Sequence, residues 1–366
     1  MIKNKKFQTF LLVLNIVFVV IGSAFVFITI DKDTNFGFKD TNFGFLKTLL
    51  IFYVFAIIST IIAVILHELG HLLAGLLSGY KFVFYRLGHI SFVKYRDHGY
   101  KIKNLYMPGT LGQCIMRPPE KKNGAYPSLF YNLGGVLMNL LLAILAYMIF
   151  LRVSNDLLKF FLLVFAFINI QTLVMNLSPI IGTDGYNILE IKKSDDYKNL
   201  FWEVITLDCM SLDDEDGVED FEFSVYPEDG SLVQYVDITH MNRALYSSDY
   251  EKFDEIYEHF TKRKDLHPFY HAQAKINKAY VDLVRSKDAT VLDGLTKDKE
   301  TKNIVNGLNK SLQKRRLDYA YQFFVEKDDE KLSRAKKNFE EALESDIDLH
   351  LVRKEHAELA KIIEMG

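Results

Sequence analysis

Cysteine is scarce in this chain: Cys114 and Cys209 are the two among 366 residues. They lie far apart and neither belongs to a C-x-x-C pair, so a disulfide framework is not supported, and two lone thiols fit a reducing compartment. An excess of charge of one sign is also lacking. Lys and Arg number 44 against 47 Asp and Glu, a net charge of −3, which gives no basis for nucleic-acid binding. No stretch reads as a PDZ or nucleotide-binding module. The first hydrophobic run lacks what a cleaved signal peptide needs. Phe10 to Ile30 is 21 residues, about 31 Å as a helix and enough to span a bilayer. It is followed by Asp31-Lys32-Asp33 instead of a small-residue cleavage site, so it reads as a retained transmembrane helix.

What is present divides the chain in two. Hydrophobic residues make up 49% and charged residues 25%, a mixture expected of an apolar first half joined to a charged second half. The length allows two or three domains. Four spans are predicted, at about 10–30, 46–77, 129–151 and 157–177. Inside the second lies His67-Glu68-Leu69-Gly70-His71, flanked by IIAVIL and LLAGLL. Residues four apart share a helix face, so His67 and His71 can address one metal, and Glu68 can reach a water on it as general base. Two imidazoles and an open position suit zinc better than magnesium or calcium. Ionisable groups in such an apolar segment are costly and mark a functional site.

Topology extends this set. Lys3, Lys5 and Lys6 before the first span predict a cytoplasmic N-terminus. An external loop follows with a tandem duplication, DTNFGF at Asp33–Phe38 and again at Asp40–Phe45, either a surface plug or a neutral repeat. Between Gly79 and Tyr126 nine Lys or Arg face one Asp and one Glu, again a cytoplasmic signature. There KFVFYRLGHISFVKY reads as two short strands and a turn, and MPGTLGQCIMRPPEKK as loop. His89 and His98 read as strand or surface histidines. The third span contains Gly134, Gly135 and Asn139. The glycines read as helix packing, and the Asn needs a polar partner. The fourth ends in Asn176-Leu177-Ser178-Pro179-Ile180-Ile181-Gly182-Thr183-Asp184-Gly185, where Pro179 and Gly182 break the helix at membrane depth. Spans two and four end on the same side, so Asp184 can join His67 and His71 and leave a fourth tetrahedral position for water.

These residues resemble the site-2 protease family of intramembrane zinc metalloproteases, which pairs H-E-x-x-H with N-x-x-P-x-x-x-x-D-G two spans later. The second motif is here Asn176, Pro179, Asp184 and Gly185, and a G-x-x-x-N feature matches Gly135 and Asn139, with Val136 where family members often have proline. The resemblance covers about Leu46 to Leu189. It implies one zinc ion per chain held by His67, His71 and Asp184, and water activation by Glu68. It further implies substrate contacts from Asn139, Asn176 and Pro179, and strands from Lys81 to Tyr95 bordering the substrate path.

The remainder is expected to be soluble. Residues 191–240 read as an acidic linker or extended segment, with FEFSVYP and LVQYVDI as short strands or a hinge. Residues 241–366 read as a helical domain, tetratricopeptide-like or a plain bundle, with N-cap residues at Ser247–Asp249, Lys327–Asp329 and Ser345–Asp348. His267 and His271 read as a helix start.

The expected fold class is an α-helical integral membrane protein. A transmembrane metalloprotease domain (1–190) has four transmembrane helices and a small cytoplasmic β-hairpin insertion, and a soluble helical domain follows. The resemblance implies a zinc endopeptidase of a bacterial cell membrane, cutting membrane-embedded segments of single-span proteins or signal-peptide remnants. A cytoplasmic regulator is expected to bind the helical domain, and no nucleic acid is expected. The alternative is a non-proteolytic, zinc-containing membrane scaffold of the peptide-immunity kind; a transporter is a third reading.

Overall fold

A computed structural model describes residues 5–33, 44–105, 111–224, 229–296 and 299–365. The DTNFGF duplication lies outside the described residues apart from its ends. The chain forms two compact units: residues 1–87 with 111–198, and residues 88–110 with 199–366.

The first unit holds four helices long and apolar enough to cross a membrane: α1 (Lys5–Asp33), α2 (Gly44–Leu77), α3 (Ser128–Phe150) and α4 (Asp156–Leu177). Each is a continuous apolar run, and each satisfies its backbone internally, which lipid requires. Helices α2, α3 and α4 pack mutually, and α1 packs on α4. Val26, Ile30, Ala63, Phe150, Phe160 and Val164 form a shared core. Large apolar side chains such as Val20, Ile21, Leu50 and Tyr53 point outward, as expected for an integral membrane protein facing acyl chains.

Two glycines let α2 and α3 touch backbone to backbone. A Cβ on Gly70 would stand 2.4 Å from the Gly134 carbonyl oxygen, and one on Gly134 would stand 2.5 Å from that of Gly70. Small residues at such a crossing allow the close approach on which helix association in lipid depends.

Between α2 and α3 the first unit carries β1 (Lys81–Leu87) and, later in sequence, β4 (Gly112–Arg117). They pair antiparallel, with Tyr85 opposite Cys114 and Arg86 opposite Gln113. The pair is anchored to α2: Tyr85 Oη donates to the Ile65 carbonyl at 2.6 Å, and Met116 packs on Gly75. Strand β4 corrects the loop expected over Met107–Lys122. The alternation that buries Cys114 and Met116 is only three residues deep and is hidden by flanking Gly and Pro.

The second unit begins with β2 (Ile90–Tyr95) and β3 (Gly99–Asn104), an antiparallel pair in register from Ile90 opposite Asn104 to Tyr95 opposite Gly99. The insertion is thus four strands, where a single hairpin was expected. After α5 (Asp184–Lys193) in the first unit come α6 (Asp195–Leu212), α7 (Ser231–Tyr246), α8 (Tyr250–Thr261), α9 (Pro268–Ser286), α10 (Asp293–Thr296), α11 (Lys299–Gly307), α12 (Leu312–Tyr321), α13 (Asp329–Ser345) and α14 (Leu349–Glu364).

Helices α5, α6 and α7 replace much of the extended segment expected at 191–240. Leu200, Val204, Val233 and Val236 are buried in one cluster. LVQYVDI is helical because its buried residues recur at helical spacing, through Val233, Val236, Met241, Ala244 and Leu245. The expected caps form. Asp249, Asp328 and Asp348 accept from the backbone N–H three residues on, and His267 caps α9 ahead of Pro268. Capping of this kind contributes about 1 kcal/mol per helix.

Inside this unit Arg316 and Glu355 form a fully buried ion pair at 2.7 Å. Arg316 also donates to Asn277 and stacks over the Tyr280 ring at 4.3 Å. The pairing leaves Arg316 Nε and Glu355 Oε2 buried without a hydrogen-bond partner, so the cost of burying these charges is only partly offset by the bonds that do form.

Candidate metal centre

His67 and His71 stand one turn apart on α2, which directs both rings to the same side. Their Nε2 atoms are 3.2 Å apart. Asp184 is the first residue of α5, and its position follows from how α4 ends. Ser178 leaves the helix in extended conformation and Gly182 adopts φ of +95°. Thr183 then caps α5, accepting from Tyr186 N–H and donating to the Ser178 and Ile180 carbonyls. Gly185 must lack a side chain, since a Cβ there would fall 2.2 Å from the Leu177 carbonyl oxygen. The reversal brings Asp184 Oδ2 to 3.3 Å from each imidazole Nε2.

Three donor atoms therefore form a nearly equilateral triangle with edges of 3.2, 3.3 and 3.3 Å. Ligands on a tetrahedral zinc with bonds of about 2.0–2.1 Å lie about 3.3 Å apart. Asp184 Oδ2 is buried without a well-formed hydrogen bond, which a bound cation would relieve. A tetrahedral ion held by these three donors would have a fourth position for water. The donor set fits zinc, with two imidazoles and one carboxylate.

The other ring nitrogens are fixed from α3. His71 Nδ1 lies 2.8 Å from the Tyr131 carbonyl oxygen. A carbonyl only accepts, so Nδ1 carries the proton and Nε2 offers its lone pair. His67 Nδ1 lies 2.6 Å from Asn139 Oδ1. Gly135 forms the floor. A Cβ on it would meet His67 Cε1 at 2.4 Å and the Nε2 atoms of His67 and His71 at 2.5 Å each. Gly135 therefore does more than the helix packing expected of it.

Glu68 is 9% exposed, and His67 and His71 less so, so the two imidazoles and the Glu68 carboxyl lie out of bulk water, while Asp184 is partly exposed. Strand β4 touches Glu68: a Cβ on Gly112 would stand 2.8 Å from both its Cγ and Oε1.

The remaining expected site residues are arranged differently. Asn139 is fully buried, and its side chain is engaged by His67 and, through Nδ2, by Asn169. Asn176 donates to the Thr172 carbonyl of its own helix. The Pro179 carbonyl accepts from Gln8 Nε2, and Gln8 Oε1 accepts from Ile181 N–H. Asn15 of the same helix donates to Ser178 Oγ. Helix α1 thus splints the broken backbone ahead of Asp184. Gln8, Asn15, Tyr131 and Asn169 were not singled out from sequence. The intramembrane asparagines were the available signal, since polar groups in a span seek partners.

Cys114 is buried on β4 and takes no part. Burial pushes its thiol well above the ordinary range, which leaves it a neutral, unreactive group. His89 and His98 lie outside the ligand cluster.

Residues 55–159 match the model of peptidase family M50. The matched segment runs from mid-α2 through H-E-x-x-H, the strands and α3 into the start of α4, and ends before Asp184. No curated protein and no solved structure matches the chain.

Proposed function

We propose that this membrane protein, whose residues 55–159 match peptidase family M50, is a zinc endopeptidase that cuts peptide bonds within membrane-embedded segments. The substrates we infer are single-span proteins or signal-peptide remnants. The observation that carries the reading is the His67–His71–Asp184 triangle, whose edges suit one tetrahedral ion, with Glu68 beside it.

His67 Nε2, His71 Nε2 and Asp184 Oδ2 would hold the zinc, which when bound polarises the scissile carbonyl and acidifies a water. Every other role falls to the chain. Glu68 takes a proton as the water oxygen bonds to the carbonyl carbon. It returns that proton to the leaving nitrogen as the C–N bond breaks. Asn139 and the Tyr131 carbonyl hold both rings in the ligating tautomer. The apolar walls of α2, α3 and α4 exclude bulk water, which strengthens each charge interaction inside. The splinted break at Ser178–Thr183 keeps Asp184 in reach and sets polar groups from α1 beside it.

The test is zinc content in detergent-purified protein, with cleavage of a labelled transmembrane peptide measured in parallel. Glu68→Gln is expected to keep about one zinc per chain and lose cleavage, because geometry survives and the base does not. The His67→Ala/Asp184→Ala double variant is expected to lose both. Folded wild-type protein without zinc, or zinc that persists in the double variant, would overturn the reading.

A further inference from the structure

We propose that Asn169 on α4, beyond the matched segment, is a positioning residue that acts through Asn139 to fix which nitrogen of His67 is free to bind a metal. The inference rests on the metal-centre reading above and deepens it.

The three side chains form a directed chain. Asn169 Nδ2 donates to the Phe165 carbonyl at 2.8 Å. That carbonyl can only accept, so the Asn169 amide cannot turn over, and its Oδ1 must face Asn139. Asn139 answers with Nδ2, at 2.9 Å from Asn169 Oδ1 and 3.5 Å from the Ala63 carbonyl, a second acceptor. Its Oδ1 is thereby left for His67 Nδ1 at 2.6 Å. An accepting oxygen there requires Nδ1–H, which leaves the Nε2 lone pair pointing at the triangle.

Were Asn139 reversed, its oxygen would face the acceptors of Asn169 and Ala63, and its amide would face His67 Nδ1. His67 would then carry its proton on Nε2, the nitrogen a metal needs. Asn139 and Asn169 are both completely buried, so water cannot absorb the mismatch. His71 needs no such device, because a backbone carbonyl, that of Tyr131, already sets its tautomer. The His67 tautomer is instead set two side chains away, by the backbone of α4.

Two readouts on the full chain in detergent test this. The first is zinc affinity by chelator competition for wild type, Asn139→Leu, Asn169→Leu, Asn169→Ser and the Asn139→Leu/Asn169→Leu double variant. The second is ¹⁵N-histidine NMR of the metal-free proteins. Either Asn169 variant is expected to weaken zinc binding about 10- to 100-fold and to populate the Nε2–H form of His67. The double variant is expected to bind no worse than Asn139→Leu alone, because one residue acts through the other. Asn169→Asp, which still accepts from Asn139 and in neutral form donates to Phe165, is expected to stay near wild type. Wild-type affinity in Asn169→Leu and Asn169→Ser, or losses in the double variant equal to the product of the singles, would overturn the proposal. Should Asn169→Leu not fold, Asn169→Ser carries the comparison. A wild type that binds no zinc would sink the functional reading, while the metal-free NMR would still decide the relay.

Discussion

Gly135→Ala adds one methyl group at the floor of the triangle. The new carbon would lie 2.4–2.5 Å from three imidazole atoms, where van der Waals contact asks for about 3.5 Å, so roughly 1 Å must be found. The rings cannot yield cheaply, because each is pinned at Nδ1 by a short bond. If α3 backs away instead, it carries Tyr131 and Asn139 with it, and both bonds, 2.8 and 2.6 Å, lengthen together. Either way the rings lose their hold. Loss of one such support weakens a metal site about 10- to 100-fold, so at least a tenfold loss of zinc affinity is expected. Global stability should suffer less. Overpacking costs about 1–3 kcal/mol, while replacing a helical glycine by alanine returns about 1 kcal/mol. Chelator competition reads the first quantity and a circular-dichroism melt the second. Folded Gly135→Ala protein with wild-type zinc affinity would refute the steric argument.

Gly112→Ala places its methyl against Glu68 and away from the histidines, so zinc should stay bound while peptide cleavage falls; parallel metal and turnover assays separate the two. Arg316→Met strands the buried Glu355 carboxylate and should destabilise the helical unit by about 3–5 kcal/mol, seen as an earlier denaturant midpoint in the full chain. Burial pushes the Asp348 carboxyl up to about 7, with Asp346 and Asp208 adding to the shift against hydrogen bonds from Leu351 N–H and Ser211. A carboxyl raised on folding favours the folded state when protonated: its contribution is complete below about pH 4 and lost as pH rises through about 7. The helical unit should therefore melt earlier at pH 8 than at pH 5. Asp348→Asn, which keeps the cap, should flatten that difference; an unchanged pH profile would count against it.

Much of the site was readable because its signals are local. His67 and His71 need only helical spacing to share a face, and Asp184 needed only a count of spans. The capping aspartates announced themselves by position. What escaped depends on helix rotation and crossing. Gly135 and Gly134 are equally small neighbours, yet one meets imidazole and the other backbone, and only the azimuth of α3 separates them. Asn169 gains meaning from an amide on a different helix. Strand β4 was hidden because its pairing partner lies about 30 residues earlier, and the apolar alternation is too short to outweigh Pro and Gly. In LVQYVDI, alternation and helical periodicity coincide over seven residues, and packing against α6 decides.

The triangle also has a history in time. Its carboxylate lies 117 residues after His67, so at about 5–20 residues per second the ribosome needs about 6–23 s to supply it. During that interval the growing chain has His67, Glu68 and His71 but no third donor for the triangle. A centre split between the second helix and the turn after the fourth cannot assemble until nearly the whole membrane half has been inserted. Connectivity alone therefore makes completion of the His67–His71–Asp184 set one of the last events in the insertion of the membrane half.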